Sequence, residues 1–209
     1  MNEVEEVTNI LVKKLNFTIN NVEKIKIFQN ALLSINKKYN LIGKSTENNI
    51  WKRHILDSAQ LVKFIKYNDN QSLSDLGSGG GFPGIILAIF NTNPLFHVKL
   101  YEKSSVKADF LLKMIELLDI KAYVKSGSYN NHILDSDYIV CRAFKKIGEI
   151  MRISREKAQK SHKLIVLKGK NAQKEINIAS KYGVFKYKLE QSITDKESKI
   201  ILVDVIKSE

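Results

Sequence analysis

A chain of 209 residues, 44% hydrophobic and 27% charged, is long enough to bury one substantial core and too apolar to remain disordered. Its longest uncharged apolar run, Ile85 to Phe90, falls far short of the roughly 20 residues that a membrane-spanning helix needs. The net charge of +12 points to a polyanionic partner, although 30 of the 34 basic residues are lysine, which codon drift also produces.

The charge is uneven: net +4 over residues 1–72, +1 over 73–150 and +7 over 151–209. The acidic start, MNEVEEVTNI, lacks the basic-then-apolar order of a secretion signal. A single cysteine, Cys141, cannot close an internal disulfide, so a reducing, cytoplasmic setting is expected.

The first 70 residues read as a helical extension. Val22, Ile25, Phe28, Leu32, Ile35 and Tyr39 follow Asn20 at steps of three and four, which predicts one helix face with Asn20 as the N-cap. After the connector YNLIGKS (39–45), a second helix is expected over 46–65, because no proline precedes Pro83. From residue 71 short apolar runs alternate with helical patterns. Strands are expected at 72–76, 96–101, 122–126, 137–142 and 163–168, with a helix between most neighbours. One of these helices should bury Val106, Phe110, Leu111, Met114, Leu117 and Leu118. The last pair, 184–189 and 199–206, has no room for a helix between its members and should form an antiparallel hairpin. The sum is an α/β fold: a seven-stranded, Rossmann-like sheet ending in a hairpin, over 71–209, behind the 1–70 extension.

The stretch LSDLGSGGGFPG (73–84) joins the first strand to a helix starting near Pro83. Gly79, Gly81 and Gly84 spell the dinucleotide fingerprint G-x-G-x-x-G, but Pro83 marks the first turn, where the third glycine should already lie inside the helix. The alternative register, Asp75, Gly77, Gly79 and Gly81, opens with an acid. An acid repels a pyrophosphate and suits the ammonium group of S-adenosylmethionine, while the glycines admit a ligand close to the backbone. Glu102, ending the second strand 25 residues after Gly77, is placed to accept both hydroxyls of a ribose.

Competing constellations are weaker. His54, Asp57 and Ser58 share one helical turn and cannot form a hydrolase relay; an Arg53–Asp57 ion pair beside a packed histidine accounts for them, and a third reading has this turn line the cofactor pocket. Cys141 sits in an apolar strand rather than after a proline, which argues against a pyrimidine-C5 nucleophile. His54, His97, His132 and His162 are too dispersed in sequence for a metal site. A methyltransferase acting on another RNA, a small molecule or a protein, or an RNA-binding module on the same fold, are the alternatives.

Taken together, YNLIGKS (39–45), RHILDS (53–58), LSDLGSGGGFPGIILAI (73–89), CRAF (141–144) and LKGK (167–170) resemble, in order and spacing, the bacterial 16S rRNA guanine-N7 methyltransferase family, small-subunit rRNA methyltransferase G or glucose-inhibited division protein B. The resemblance implies a class I S-adenosylmethionine-dependent methyltransferase acting on 16S rRNA or the 30S subunit; a monomer without metal is expected. It implies cofactor contacts at Gly77, Phe82, Tyr129 and Asn130, beside the Glu102 already expected at the ribose, and places Arg142 near the cofactor and the target base, where it should hold a phosphate or carboxylate. The Tyr129 turn departs from relatives, carrying Asn130 and Asn131 where they carry acids. Lys168 and Lys170 are the expected RNA contacts within a basic 152–174 segment. Guanine N7 has a free lone pair, so alignment suffices and no catalytic side chain is assigned.

Overall fold

The computed structural model describes residues 2–181 and 185–207. Helix α1, Glu3–Leu15, opens with a capping box between Asn2 and Glu5 and stops where Asn16 turns left-handed. Helix α2, Ile19–Tyr39, is capped by Thr18 with Asn21, not by Asn20. Its buried stripe runs Val22, Ile25, Phe28, Leu32, Asn36, so the last member is polar and Tyr39 is exposed. The Asn36 amide accounts for this: it takes the Ile42 N–H at 2.8 Å and donates to Glu47 Oε1 at 2.6 Å, pinning the connector.

The expected second helix is a chain of short turns: a 3-10 turn Lys44–Asn49, a π turn Trp51–Leu56, α3 at Asp57–Ala59 and a 3-10 turn Gln60–Phe64. The π turn buries four of its six residues, Trp51, His54, Ile55 and Leu56. Glu3 takes the Lys52 N–H at 3.0 Å, and Gln29 takes the Trp51 indole N–H at 2.9 Å. Long-range partners therefore replace part of the regular helical ladder.

The sheet follows: β1 Ser72–Leu76, β2 His97–Glu102, β3 Ala122–Ser126, β4 Tyr138–Arg142, β5 His162–Lys168, β6 Tyr187–Gln191 and β7 Lys199–Val205. Their order is β3-β2-β1-β4-β5-β7-β6, with β7 antiparallel to β5 and to β6. The expected hairpin is present, with its first strand displaced toward the C-terminus; of the expected strand, Val184 lies outside the described residues. Helices α4 Gly84–Phe90, α5 Ser105–Leu117, α6 Ile147–Lys157 and α7 Ala172–Ala179 cover the sheet. The sequence pattern raised no expectation of helix α7. In α5 only Ala108, Phe110, Leu111 and Met114 are buried, whereas Val106 and Leu117 face out.

One hydrophobic cluster runs unbroken from Val7 and Leu11 through α2 and α4 to Leu73, Val98 and Val140. Asn21 donates to Ile89 O at 2.6 Å, tying α2 to the end of α4. The extension thus shares its core with the sheet. No described helix is long and apolar enough to cross a membrane.

Helix α4 begins at Gly84 directly after Pro83, and here the sequence argument against the third glycine fails. A Cβ at Gly84 would stand 2.2 Å from Leu100 Cδ2 and 2.6 Å from Asp75 Oδ2, so this glycine does serve close packing of helix on strand. Gly84→Ala should therefore destabilise the fold by about 1–3 kcal/mol, as overpacking does. Urea unfolding checks this; a midpoint equal to the parent's would mean that the helix is free to move off the strand.

Candidate active site

The strand order reverses between β1 and β4, and open α/β sheets bind ligands at the carboxyl edge of such a switch point. A cleft of about 490 Å³ lies there, between the glycine loop, the end of β2, the turn after β3 and the residues after β4. That volume suits a small-molecule ligand.

Two carboxylates shape the loop. Glu102 accepts the Gly79 N–H on Oε2 and the Ser104 N–H on Oε1, both at 2.8 Å. Asp75 is fully buried and accepts the Gly84 N–H at 2.9 Å, so it holds the start of α4 and does not line the cleft. Its second oxygen, Oδ1, has no partner among the described residues. Burial pushes the Asp75 carboxyl up to about 7.

Among these glycines, Gly79 adopts φ +56, and a Cβ there would meet nothing closer than Gly77 O at 3.7 Å. Space for a ligand lies beyond it. Gly77 (φ +75) differs: its Cβ would strike the Phe144 ring at 2.6 Å, so the obstacle is protein. Phe144 in turn packs edge-on against Tyr129, ring centroids 5.4 Å apart.

Of the residues expected to hold the cofactor, the structure brings Gly77, Glu102, Tyr129 and Asn130 to the cleft. Phe82 and Arg142 are not among its lining residues. Phe82 is buried, packed against Phe28 and His54 with ring centroids 5.3 and 5.0 Å away. Arg142 lines a second cavity of about 260 Å³, which adjoins the first through their common residue Ala143.

This smaller cavity gathers Arg53, His54 and Asp57 from the 44–64 segment, Arg142 and Lys168 from the ends of β4 and β5, and Thr194 from the β6–β7 turn. The expected Arg53–Asp57 pair is not formed. Arg53 faces Asp195 at 3.5 Å, and Asp57 faces Arg142 at 3.4 Å, so each takes a partner from a distant part of the chain. Arg142 donates to Arg53 O at 2.8 Å and to His54 Nδ1, so the imidazole proton sits on Nε2, which donates to Thr46 Oγ1 at 2.7 Å. Burial, then Arg142 and Arg53, lower His54 to about 3 and keep it neutral. Cys141 is buried in β4, and burial pushes its thiol up.

Lys168 is half-buried, paired with Glu175 at 2.8 Å and bonded to Lys145 O, whereas Lys170 is exposed. The 152–174 segment is divided between the two sheet edges. Lys160 pairs with Asp137 at 3.2 Å and Lys163 sits opposite Tyr138 at the amino edge, away from both cavities. Among the described residues, no group of His, Cys, Asp or Glu could hold a metal ion.

Sequence reasoning gave no role to Phe144 or Thr194. Phe144 follows Arg142 in CRAF and was within reach of a motif argument. Thr194 reaches the site from a turn more than 130 residues after Asp57 in the chain, and no local pattern announces it.

The family model for rRNA small subunit methyltransferase G matches residues 21–202. The chain belongs to that family. A Ribosomal RNA small subunit methyltransferase G from Rickettsia akari is 37% identical over 182 residues, covering 87% of this chain and 93% of that protein. One from Orientia tsutsugamushi (strain Ikeda) is 33% identical over 202 residues, covering 97% and 100%. Among solved structures, an O-methyltransferase from Bacillus cereus in complex with SAH superposes with a TM-score of 0.60 at 14% identity, covering 96% and 97%. Aeropyrum pernix fibrillarin with bound S-adenosyl-L-methionine gives 0.56 at 13% identity, covering 73% and 75%. The fold is that of the S-adenosylmethionine-dependent methyltransferases.

The buried Asp75 makes stability pH-dependent. Its carboxyl is raised in the fold, so between about pH 4 and 7 the folded chain binds the extra proton and stability falls as pH rises. Asp75→Asn keeps an acceptor for Gly84 without the charge. Its thermal midpoint, relative to the parent's, should rise from pH 4 to pH 8 in the absence of ligand. A difference that does not change with pH would contradict the burial argument.

Proposed function

We propose that this chain transfers the methyl group of S-adenosylmethionine to N7 of a guanine in 16S rRNA of the small ribosomal subunit, in the cytoplasm. The observation that carries this reading is the pair of adjoining cavities at the carboxyl edge of the sheet, one glycine- and acid-lined, the other rimmed by cations that already have partners.

The cleft residues fit the cofactor. Gly79 and Gly127 leave room where a Cβ would stand, Glu102 presents a carboxylate for ribose hydroxyls, and Tyr129 and Asn130 flank the place of the adenine. When bound, S-adenosylmethionine supplies an electrophilic methyl group on a sulfonium. The smaller cavity takes the target base, and Ala143, shared by the two, marks where nucleophile and methyl group meet. N7 needs no base, and the cavity's titratable groups are already engaged: His54 is neutral with its Nδ1 accepting from Arg142, and the Asp57 carboxylate is held by Arg142 and Thr194. The protein's task is alignment.

The product guanine is cationic, and free cations around it would oppose its formation. Each positive group of this cavity is paired with a carboxylate: Arg142 with Asp57, Arg53 with Asp195, Lys168 with Glu175. Pairing retains the donors while cancelling much of the charge.

The test is methyl transfer from labelled S-adenosylmethionine to 30S particles, to naked 16S rRNA and to 23S rRNA, with aniline cleavage after borohydride reduction to locate N7-methylguanine. Label at one guanine N7 of 16S rRNA is expected; label on another base, or none, would refute the reading.

RNA binding follows from the same map. Lys146 and Lys170 are exposed at the carboxyl edge, while Lys168 is committed to Glu175. Lys146→Ala with Lys170→Ala should weaken RNA binding and flatten the log affinity–log salt slope by about 0.7–0.9 for each phosphate no longer neutralised. Lys168→Ala should lower the thermal midpoint instead, since it leaves Glu175 unpaired. An unchanged slope in the double variant would place the RNA elsewhere.

A further inference from the structure

Three stretches far apart in the chain meet at one carboxylate beside the smaller cavity. Asp57 Oδ1 accepts from Thr194 Oγ1 and from Gln60 Nε2, each at 3.0 Å, and Oδ2 faces Arg142 Nη1 at 3.4 Å. Gln60 extends the link: buried itself, it takes the Ile193 N–H on Oε1 at 2.9 Å and donates to Ser192 Oγ at 3.0 Å. Ile193 is 46% exposed, so these polar contacts, rather than apolar packing of that residue, tie the β6–β7 turn to the helical segment.

The same carboxylate orients the guanidinium. Arg142 spends three of its five N–H groups on Arg53 O, Asp57 and His54 Nδ1; among the described residues the others have no protein acceptor and remain for a ligand in the cavity. Without Asp57, Arg142 loses its counter-charge, and the turn carrying Thr194 loses an anchor. Both are walls of the cavity. None of these groups lines the larger cleft.

We infer that Asp57 is a positioning residue for methyl transfer: through Arg142 and Thr194 it sets the shape of the cavity that takes the target base, without touching the cofactor. The inference rests on the assignment of that cavity to the base. A misplacement of about 1 Å in such a wall is enough to cost a large factor in rate.

The experiment compares the parent with Asp57→Asn, which is isosteric, and with Thr194→Val, which removes the two hydrogen bonds of Thr194 Oγ1, to Asp57 and to Ser192, from a partly exposed position. Three quantities are read: S-adenosylmethionine affinity by calorimetry, kcat/KM toward 30S particles, and amide exchange of the 192–195 turn. Cofactor affinity should stay within about twofold of the parent, because Asp57, Arg142 and Thr194 do not line the larger cleft. The kcat/KM toward RNA should fall by about 10- to 100-fold in Asp57→Asn and less in Thr194→Val. Exchange at Ile193 should accelerate while the glycine loop keeps its rate.

An unchanged kcat/KM in Asp57→Asn would overturn the inference. So would a parallel loss of cofactor affinity, which would mean that Asp57 supports the fold as a whole. Failure of the parent to methylate any RNA would instead overturn the proposed function. The exchange readout then decides only whether Asp57 anchors the cavity wall: faster exchange confined to 192–195 upholds that anchoring, and unchanged exchange refutes it together with the inference.

Discussion

A loop of glycines has no preferred shape of its own, and here two buried acids supply it. Glu102 holds Gly79 from the end of β2, and Asp75 holds Gly84 from the end of β1. Four positive-φ or tightly packed glycines, Gly77, Gly79, Gly81 and Gly84, then follow a path that no other residue type could adopt without strain or collision. The cleft exists because this path is pinned at both ends. Asp75 shows the cost: a carboxyl raised to about 7 by burial, with one oxygen unpartnered among the described residues, destabilises the fold near neutral pH while fixing the helix start. Such a trade is expected where a site is preorganised.

The helical extension completes the site from the other side. Its core is continuous with that of the sheet, and its irregular 44–64 segment carries Arg53, His54 and Asp57 to the cavity beside the cleft. The π turn is where local helix geometry gives way to the demands of the site.

Much of the sheet was legible because strands alternate with helices and each apolar run is short and bounded; β1 and β3 fall on the expected residues. The cleft was legible for the same reason, since a glycine loop after β1 and an acid ending β2 are local signals. What escaped depends on distance. Arg142, expected near the cofactor and the target base and holding a phosphate or carboxylate, faces the Asp57 carboxylate and stands over Phe82 beside the neighbouring cavity, while Phe144, past the bend at Ala143 (φ +49), lines the cleft. The Arg53–Asp57 spacing suggested a helical pair, and tertiary partners in β4 and in the β6–β7 turn took both residues. Lys168 has the look of a phosphate ligand in sequence, but Glu175, from a helix with no clear signature, neutralises it.

The claim on which all of this turns is that the cofactor lies against the glycine loop with the aromatic rings of Tyr129 and Phe144 beside it. Ultraviolet irradiation of the protein with tritiated S-adenosylmethionine, followed by peptide mapping, addresses it most directly. The account predicts label on peptides carrying residues 77–82, Tyr129 or Phe144, suppressed by excess unlabelled cofactor. Suppressible label confined to peptides that line neither the cleft nor its rim would contradict it.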